Sequence, residues 1–141
     1  MAAKHDWNDL ENYLHVTLRA VEDNPFEVDH TLGFPRMSPD AGEVSGDIFC
    51  HGEIVVNVIK YFDIRAVGKR RQARTVRYSY HARYRDGEDI FRYDSFHRRP
   101  NHPTSHHKHE FHPDGETVTH VGTDWPHLSE VLDELKRLVW K

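Results

Sequence analysis

From Arg74 to Arg85 the residues alternate strictly in character. Val76, Tyr78, Tyr80, Ala82 and Tyr84 fall on one side of an extended chain. Thr75, Arg77, Ser79, His81, Arg83 and Arg85 fall on the other, because strand side chains repeat every two residues. Asp86-Gly87 follows, a dipeptide suited to the tight turn of a hairpin. The returning strand is expected over Asp89 to Ser95. With Phe91 and Tyr93 on the tyrosine side, Arg92 and Asp94 join Arg77, His81 and Arg83 on the opposite one. The aromatic face needs a covering layer, and the ionised face is left for function.

The remaining sequence supplies candidates for that layer. Trp7, Leu10, Leu14, Leu18 and Val21 recur at helical spacing and predict an amphipathic helix over residues 6–23, with Asp6 or Asn8 placed to cap it. Asn24-Pro25 ends it. Leu128, Val131, Leu132, Leu135, Leu138 and Val139 predict a second helix over 126–140, with Pro126 in its first turn. Residues 44–50 and 53–63 are β-rich runs around His51-Gly52, a hairpin signal. Gly68 to Arg71 reads as a basic turn, and Thr117 to Val121 as one more short strand. Residues 24–46, rich in Pro and Gly, and the His/Pro-rich residues 96–115 are expected to be irregular. Trp7, Trp125 and Trp140 are expected in the core. The expected fold is α+β: an antiparallel meander of about four to five strands packed against an N-terminal and a C-terminal helix, as a single compact unit. Residues 1–42 would form a helix and irregular extension, and residues 43–141 the α+β domain proper.

At 141 residues the chain can bury one core of ordinary size. No apolar run approaches the ~18 residues that span a bilayer. Met1 to Trp7 holds no apolar segment of the signal-peptide kind, and Cys50 is the sole cysteine. These features are expected of a protein of the reducing cytoplasm. Gly-x-Gly-x-x-Gly and P-loop signatures are absent, which leaves nucleotide cofactors of those kinds unsupported. Cys50 has no cationic setting that would make it a nucleophile.

The net charge of −4 conceals a division along the chain. Residues 1–64 carry −8, residues 65–99 carry +7 and residues 100–141 carry −3. The basic middle is mostly arginine, the side chain suited to bidentate phosphate contact, and Tyr78, Tyr80, Tyr84 and Tyr93 are interleaved with it. An RNA-facing surface and a solvated strand face both fit this pattern. Six of the 13 histidines follow closely: His97, His102, His106, His107, His109 and His112.

Three explanations compete for this cluster. The first is general acid–base cleavage of a phosphodiester. RNA cleavage without metal needs a base for the 2′-OH proton, an acid for the leaving oxygen, and cations for the charge on the phosphorane. Histidine serves both proton roles. Arg77, Arg83, Arg92 and Lys108 could supply charge, and Asp94 could orient a histidine. The second is metal binding, with Asp94, His97, His102, His107 and His109 as ligands, although the spacing matches no specific zinc template. The third is a solvated His-rich loop without chemistry. His5, His15, His30, His51, His112, His120 and His127 are dispersed and read as structural or solvated.

Tyr78-Ser79-Tyr80-His81, then Phe91-Arg92-Tyr93-Asp94-Ser95-Phe96-His97, then His106-His107-Lys108-His109, and finally a short Leu/Val-rich helix, resemble the TumE family. These are toxins of type II toxin–antitoxin modules in bacteria and archaea. The resemblance covers about residues 43–141. The chain departs from the usual pattern at Ser95, where Asn is common, at Arg98-Arg99, and at Ser105, where Pro is common. The resemblance implies a toxin acting on RNA and neutralised by a small antitoxin, typically of helix-turn-helix type. It places His81, Arg92, Asp94, His97, His107, Lys108 and His109 on the family's shared positions. Arg77, Arg83, Tyr93, Arg98 and Arg99 are the expected substrate contacts. The leading expectation is a metal-independent endoribonuclease with no cofactor and no membrane attachment; a homodimer is compatible with it. The alternatives are a non-catalytic RNA- or protein-binding module and a metal-dependent phosphoesterase using the same histidines.

Overall fold

The computed structural model describes residues 7–95, 106–120 and 126–140. His97, Arg98, Arg99, His102 and Trp125 therefore lie outside the described residues. The described chain runs β1 (Asn8–Asp9), α1 (Leu10–Glu22), β2 (Glu27–His30), β3 (Gly33–Met37), β4 (Ala41–Cys50), β5 (Ile54–Val67), β6 (Arg70–Tyr84), β7 (Asp89–Asp94), β8 (His107–His112), β9 (Gly115–His120) and α2 (Leu128–Val139). All strands join one antiparallel sheet in the order β2-β4-β5-β6-β7-β8-β9. The short β3 shares β4 with β2, and β1 pairs with β6.

The α+β class, the antiparallel meander and the two helices agree with expectation. The strand count does not: nine strands among the described residues replace the expected four to five. Two supposedly irregular stretches account for much of the difference. Within residues 24–46, the Pro- and Gly-containing chain forms β2, β3 and the start of β4. Its bend is fixed at Thr31, whose N–H donates to the Asp47 carbonyl (2.8 Å) and whose Oγ1 accepts from the Asp47 N–H (2.9 Å). The Thr31 carbonyl lies where a Cβ on Gly46 would sit, at 2.6 Å, and Gly46 has φ +145°. Only glycine suits that crossing. Farther on, Pro113-Asp114-Gly115 turns β8 into β9, so the histidine-rich segment from His107 is a strand.

The helix ends also differ in detail. Asp9, rather than Asn8, caps α1, with its carboxylate accepting the Asn12 N–H at 3.2 Å; Asp6, the other expected cap, lies outside the described residues. Asp9→Ala should lower stability by about 1 kcal/mol, read as a shift of the urea midpoint at unchanged slope. Pro126 precedes the α2 N-cap, His127, instead of lying in the first turn. Trp7 and Trp140 are not core residues. Trp7 lies between the guanidinium groups of Arg65 and Arg74, at 4.3 and 4.6 Å. Trp140 is 44% exposed and packs edge-on against Phe26.

Both helices cover one sheet face. Ile48, Ile54, Val56, Val58, Tyr78, Tyr80, Ala82 and Phe91 are buried there against Val21 of α1 and Leu128, Val131, Leu132 and Leu135 of α2. Each buried aliphatic side chain of this size contributes about 1.5–3 kcal/mol, so α2 is a main clamp on the sheet. A second buried group is formed by Leu10, Val44, Phe62, Ile64 and Ala73.

The alternation in β6 holds with one interruption. Tyr61 pairs with Arg77 and Phe62 with Thr75, which leaves Val76 as an extra residue. This bulge shifts the face parity. Upstream of it Ala73 and Thr75 are buried, and downstream Tyr78, Tyr80 and Ala82. Val76, expected on the aromatic face, is half-buried.

Candidate site on the uncovered sheet face

The sheet face away from the helices carries the ionisable residues. His81 on β6 is directly opposite Arg92 on β7, and Arg92 is directly opposite His109 on β8. Neighbouring strands lie about 4.8 Å apart, so two histidines flank one arginine across about 10 Å of sheet. One step along, Ser79, Asp94 and His107 form a second cross-strand row.

Each flanking histidine is held by a carboxylate on the next strand. His81 Nε2 meets Asp89 Oδ1 at 2.6 Å. His109 Nδ1 meets Glu116 Oε1 at 2.6 Å. Both contacts run diagonally towards the turn of a hairpin, since Asp89 is opposite Arg83 and Glu116 opposite Phe111. A carboxylate on one ring nitrogen fixes the ring and leaves the other nitrogen for proton transfer. In His109 that second nitrogen, Nε2, lies 3.6 Å from Asp94 Oδ2, too long for a good hydrogen bond. Asp94 is instead bonded to Arg92, whose Nε donates to Oδ2 at 2.8 Å. Arg92 makes no other hydrogen bond among the described residues, so its terminal N–H groups are available to an anion. The His107 and His109 rings are 6.3 Å apart.

The structure thus brings His81, Arg92, Asp94, His107 and His109 onto one face. Arg83 and Arg77 extend that face along β6; Arg83 is half-buried and Arg77 exposed, with its guanidinium 5.8 Å from the Tyr61 ring. Two expected members are on the opposite face. Tyr93 is paired with Lys108, and both turn towards α2. The Tyr93 hydroxyl donates to Glu134 Oε1 at 2.6 Å, and Lys108 Nζ donates to Glu134 Oε2 at 2.6 Å and reaches Glu110 at 2.8 Å. The physical reason is parity. Lys108 stands between His107 and His109, so a strand that presents those two outward must turn Lys108 inward.

The inward pair is a structural tie between sheet and helix. Burial pushes the Tyr93 hydroxyl up to about 12, reinforced by its bond to Glu134. Burial alone would depress the Lys108 ammonium, but its bonds to Glu110 and Glu134 outweigh that and hold it above the usual lysine range. Glu110 is drawn below its ordinary value by the same Lys108 contact. His106, next to the candidate site in sequence, is buried and stacks on Tyr78 with ring centroids 5.7 Å apart. Burial lifts the Cys50 thiol to about 12. Such a thiol holds little thiolate near neutrality.

Asp89 and Glu116 join the site without being singled out by strand alternation, which offers Asp94 alone for the orienting role. Their signal is the hairpin turns: counting back from Asp86-Gly87 and from Pro113-Asp114-Gly115 brings each carboxylate within a diagonal of its histidine. Among the described residues no group of three or more His, Cys, Asp or Glu side chains is arranged to hold a metal ion. His97 and His102, two of the ligands the metal explanation needs, are outside the described residues. No described helix is long and apolar enough to cross a membrane.

Fold and site together define an α+β protein with its helices on one side of an antiparallel sheet and a histidine–arginine–carboxylate cluster on the other. The family model for Toxin TumE matches residues 17–139, and the chain belongs to that family. The match takes in the last two turns of α1 as well as β2 to β9 and α2, and so begins upstream of the motifs that carry the resemblance. Membership assigns the chain a toxin role and implies an antitoxin partner. Neither the curated proteins nor the solved structures contain a match to this chain.

Proposed function

We propose that this toxin cleaves RNA on the uncovered sheet face by metal-independent acid–base catalysis. The observation that carries the reading is the row His81–Arg92–His109, two carboxylate-held histidines with an arginine between them. A scissile phosphate over Arg92 would meet the free N–H groups of its guanidinium, with one imidazole on each side. One histidine accepts the 2′-OH proton as the 2′ oxygen attacks phosphorus. The other gives a proton to the departing 5′ oxygen. The products are a 2′,3′-cyclic phosphate and a 5′-hydroxyl, and Arg92 offsets the charge that gathers on the phosphorane. Asp89 and Glu116 fix the rings, and Asp94 fixes the arginine.

Arg77 and Arg83 extend the same face as contacts for the RNA backbone. His97 as a catalytic residue, and Arg98 and Arg99 as substrate contacts, are proposed from the sequence alone, since they lie outside the described residues. The proposed antitoxin is a small protein of helix-turn-helix type. Lys108, by contrast, is assigned to holding α2 on the sheet.

The test uses purified protein and a labelled RNA in EDTA. Cleavage should proceed at undiminished rate and leave 2′,3′-cyclic ends. RNA that shifts in mobility but is never cut, with EDTA or with added metal, would make the face a binding surface. Cleavage that EDTA abolishes and divalent metal restores would make it a metal-dependent phosphoesterase.

A further inference from the structure

The helix-covered face contains a lysine where the β5 pattern calls for an apolar residue. Ile54, Val56, Val58, Phe62 and Ile64 are all buried on that face, and Lys60 occupies the position between Val58 and Phe62. In register it stands between Val44 and Tyr78, both fully buried. Lys60 is itself only 8% exposed. It falls where the core divides, between the group containing Val58 and Tyr78 and the group containing Val44 and Phe62.

Its ammonium has no hydrogen-bond acceptor and no carboxylate among the described residues. The contact it makes there is with the Tyr13 ring, whose centroid is 5.0 Å away. Burial alone pulls its pKa down to about 8. A buried ammonium without a counter-charge costs several kcal/mol, and sequences seldom place one in a core without a ligand or a partner to offset it.

Lys60 borders a cavity of about 220 Å³ between α1, α2 and the sheet. At ~30 Å³ of liquid per water, that is room for about seven waters. Val16, Ala20 and Leu128 give the cavity an apolar side, and Thr17, Thr75 and Ser129 give it hydroxyls. Thr75 Oγ1 is bonded to the Tyr13 hydroxyl at 2.7 Å, and Thr17 Oγ1 donates to the Tyr13 carbonyl. The first residues of α2, Leu128 and Ser129, also line it. Their N–H groups belong to a helix start, where the backbone dipole favours an anion.

The geometry points to a binding site for a small monocarboxylate with a short apolar body, its carboxylate on Lys60 and its body against Val16, Ala20 and Leu128. One lysine matches one negative charge, and the volume admits a chain of a few carbons. The site is on the opposite side of the sheet from His81 and His109, so it stands or falls independently of RNA cleavage.

The test is a titration of the full chain with sodium hexanoate, followed by amide NMR, with inorganic phosphate in a parallel arm. Hexanoate should shift the amides of Thr17, Thr75, Leu128 and Ser129 in a saturable way. Lys60→Met should weaken that binding at least tenfold while its spectrum stays that of a folded protein. Ala20→Met, which fills the cavity and keeps the lysine, should lose binding as well. The proposal is overturned if hexanoate gives no saturable shift at those amides or if Lys60→Met binds as tightly as the parent. Phosphate binding there at least as tightly as hexanoate would overturn the carboxylate assignment.

Discussion

Replacing His109 by alanine should lower the proposed RNA cleavage by about 10²–10⁴-fold, the usual contribution of a positioned acid or base. RNA affinity should change little, because Arg77, Arg83 and Arg92 keep their places on the face. The loss should therefore appear in kcat rather than in KM, the pattern of an interaction made only in the transition state. His81→Ala should cost a comparable factor. The double variant should lose less than the product of the two, since acid and base act in one step. The fold should survive, because Glu116, the partner left behind by His109, has a side chain that is 45% exposed and keeps its contact with water. Single-turnover rates with a short labelled RNA, together with gel-shift affinities, separate these quantities. A His109→Ala protein that cleaves as fast as the parent would remove His109 from the reaction.

The outline of this site is legible in the sequence because a strand reports its two faces directly. Alternation in β6 and β7 by itself places His81, Arg92 and Asp94 together, and the register agrees. The same logic on β8 separates Lys108 from His107 and His109. It is masked there because a segment rich in histidine and proline reads as a loop until its turn, Pro113-Asp114-Gly115, is taken as the end of a hairpin. The bulge at Val76 is hidden for a different reason. An extra residue leaves no mark in an alternating sequence, and is fixed only by what β5 presents opposite it. The carboxylate partners are hidden for a third reason: diagonal contacts depend on the exact turn length. Asp94 is the acid that alternation puts on the histidine face, yet it is bonded to Arg92 two residues away on its own strand, and the histidines are held by Asp89 and Glu116 across the hairpins.

Lys60 shows what alternation can reveal when it is read for exceptions. In Ile54-Val55-Val56-Asn57-Val58-Ile59-Lys60-Tyr61-Phe62-Asp63-Ile64 every second residue from Ile54 is apolar except Lys60. That single break marks the one buried lysine position on β5, and it makes a strong prediction about stability. Lys60→Met, which keeps the length of the side chain and removes its charge, should stabilise the protein at neutral pH. Burial lowers the lysine pKa from 10.5 to about 8, a penalty of about 3 kcal/mol on the charged form. Recovering it should raise Tm by about 10 °C for a domain of this size. The pH dependence fixes the cause. Between about pH 8 and 10.5 the unfolded chain keeps the lysine proton while the folded chain has released it, so parental stability gains with pH across that window. The Lys60→Met variant lacks this gain, and its advantage should be complete below about pH 8 and gone above about 10.5. Tyr13, Tyr78, Tyr80 and Tyr93, all held above their ordinary values by burial, work in the opposite sense at alkaline pH. They are common to both proteins, so the difference between the two melting curves isolates the lysine. An advantage that persists unchanged at about pH 10.5 would mean that methionine gains by packing alone, and that the buried charge of Lys60 has no cost to remove.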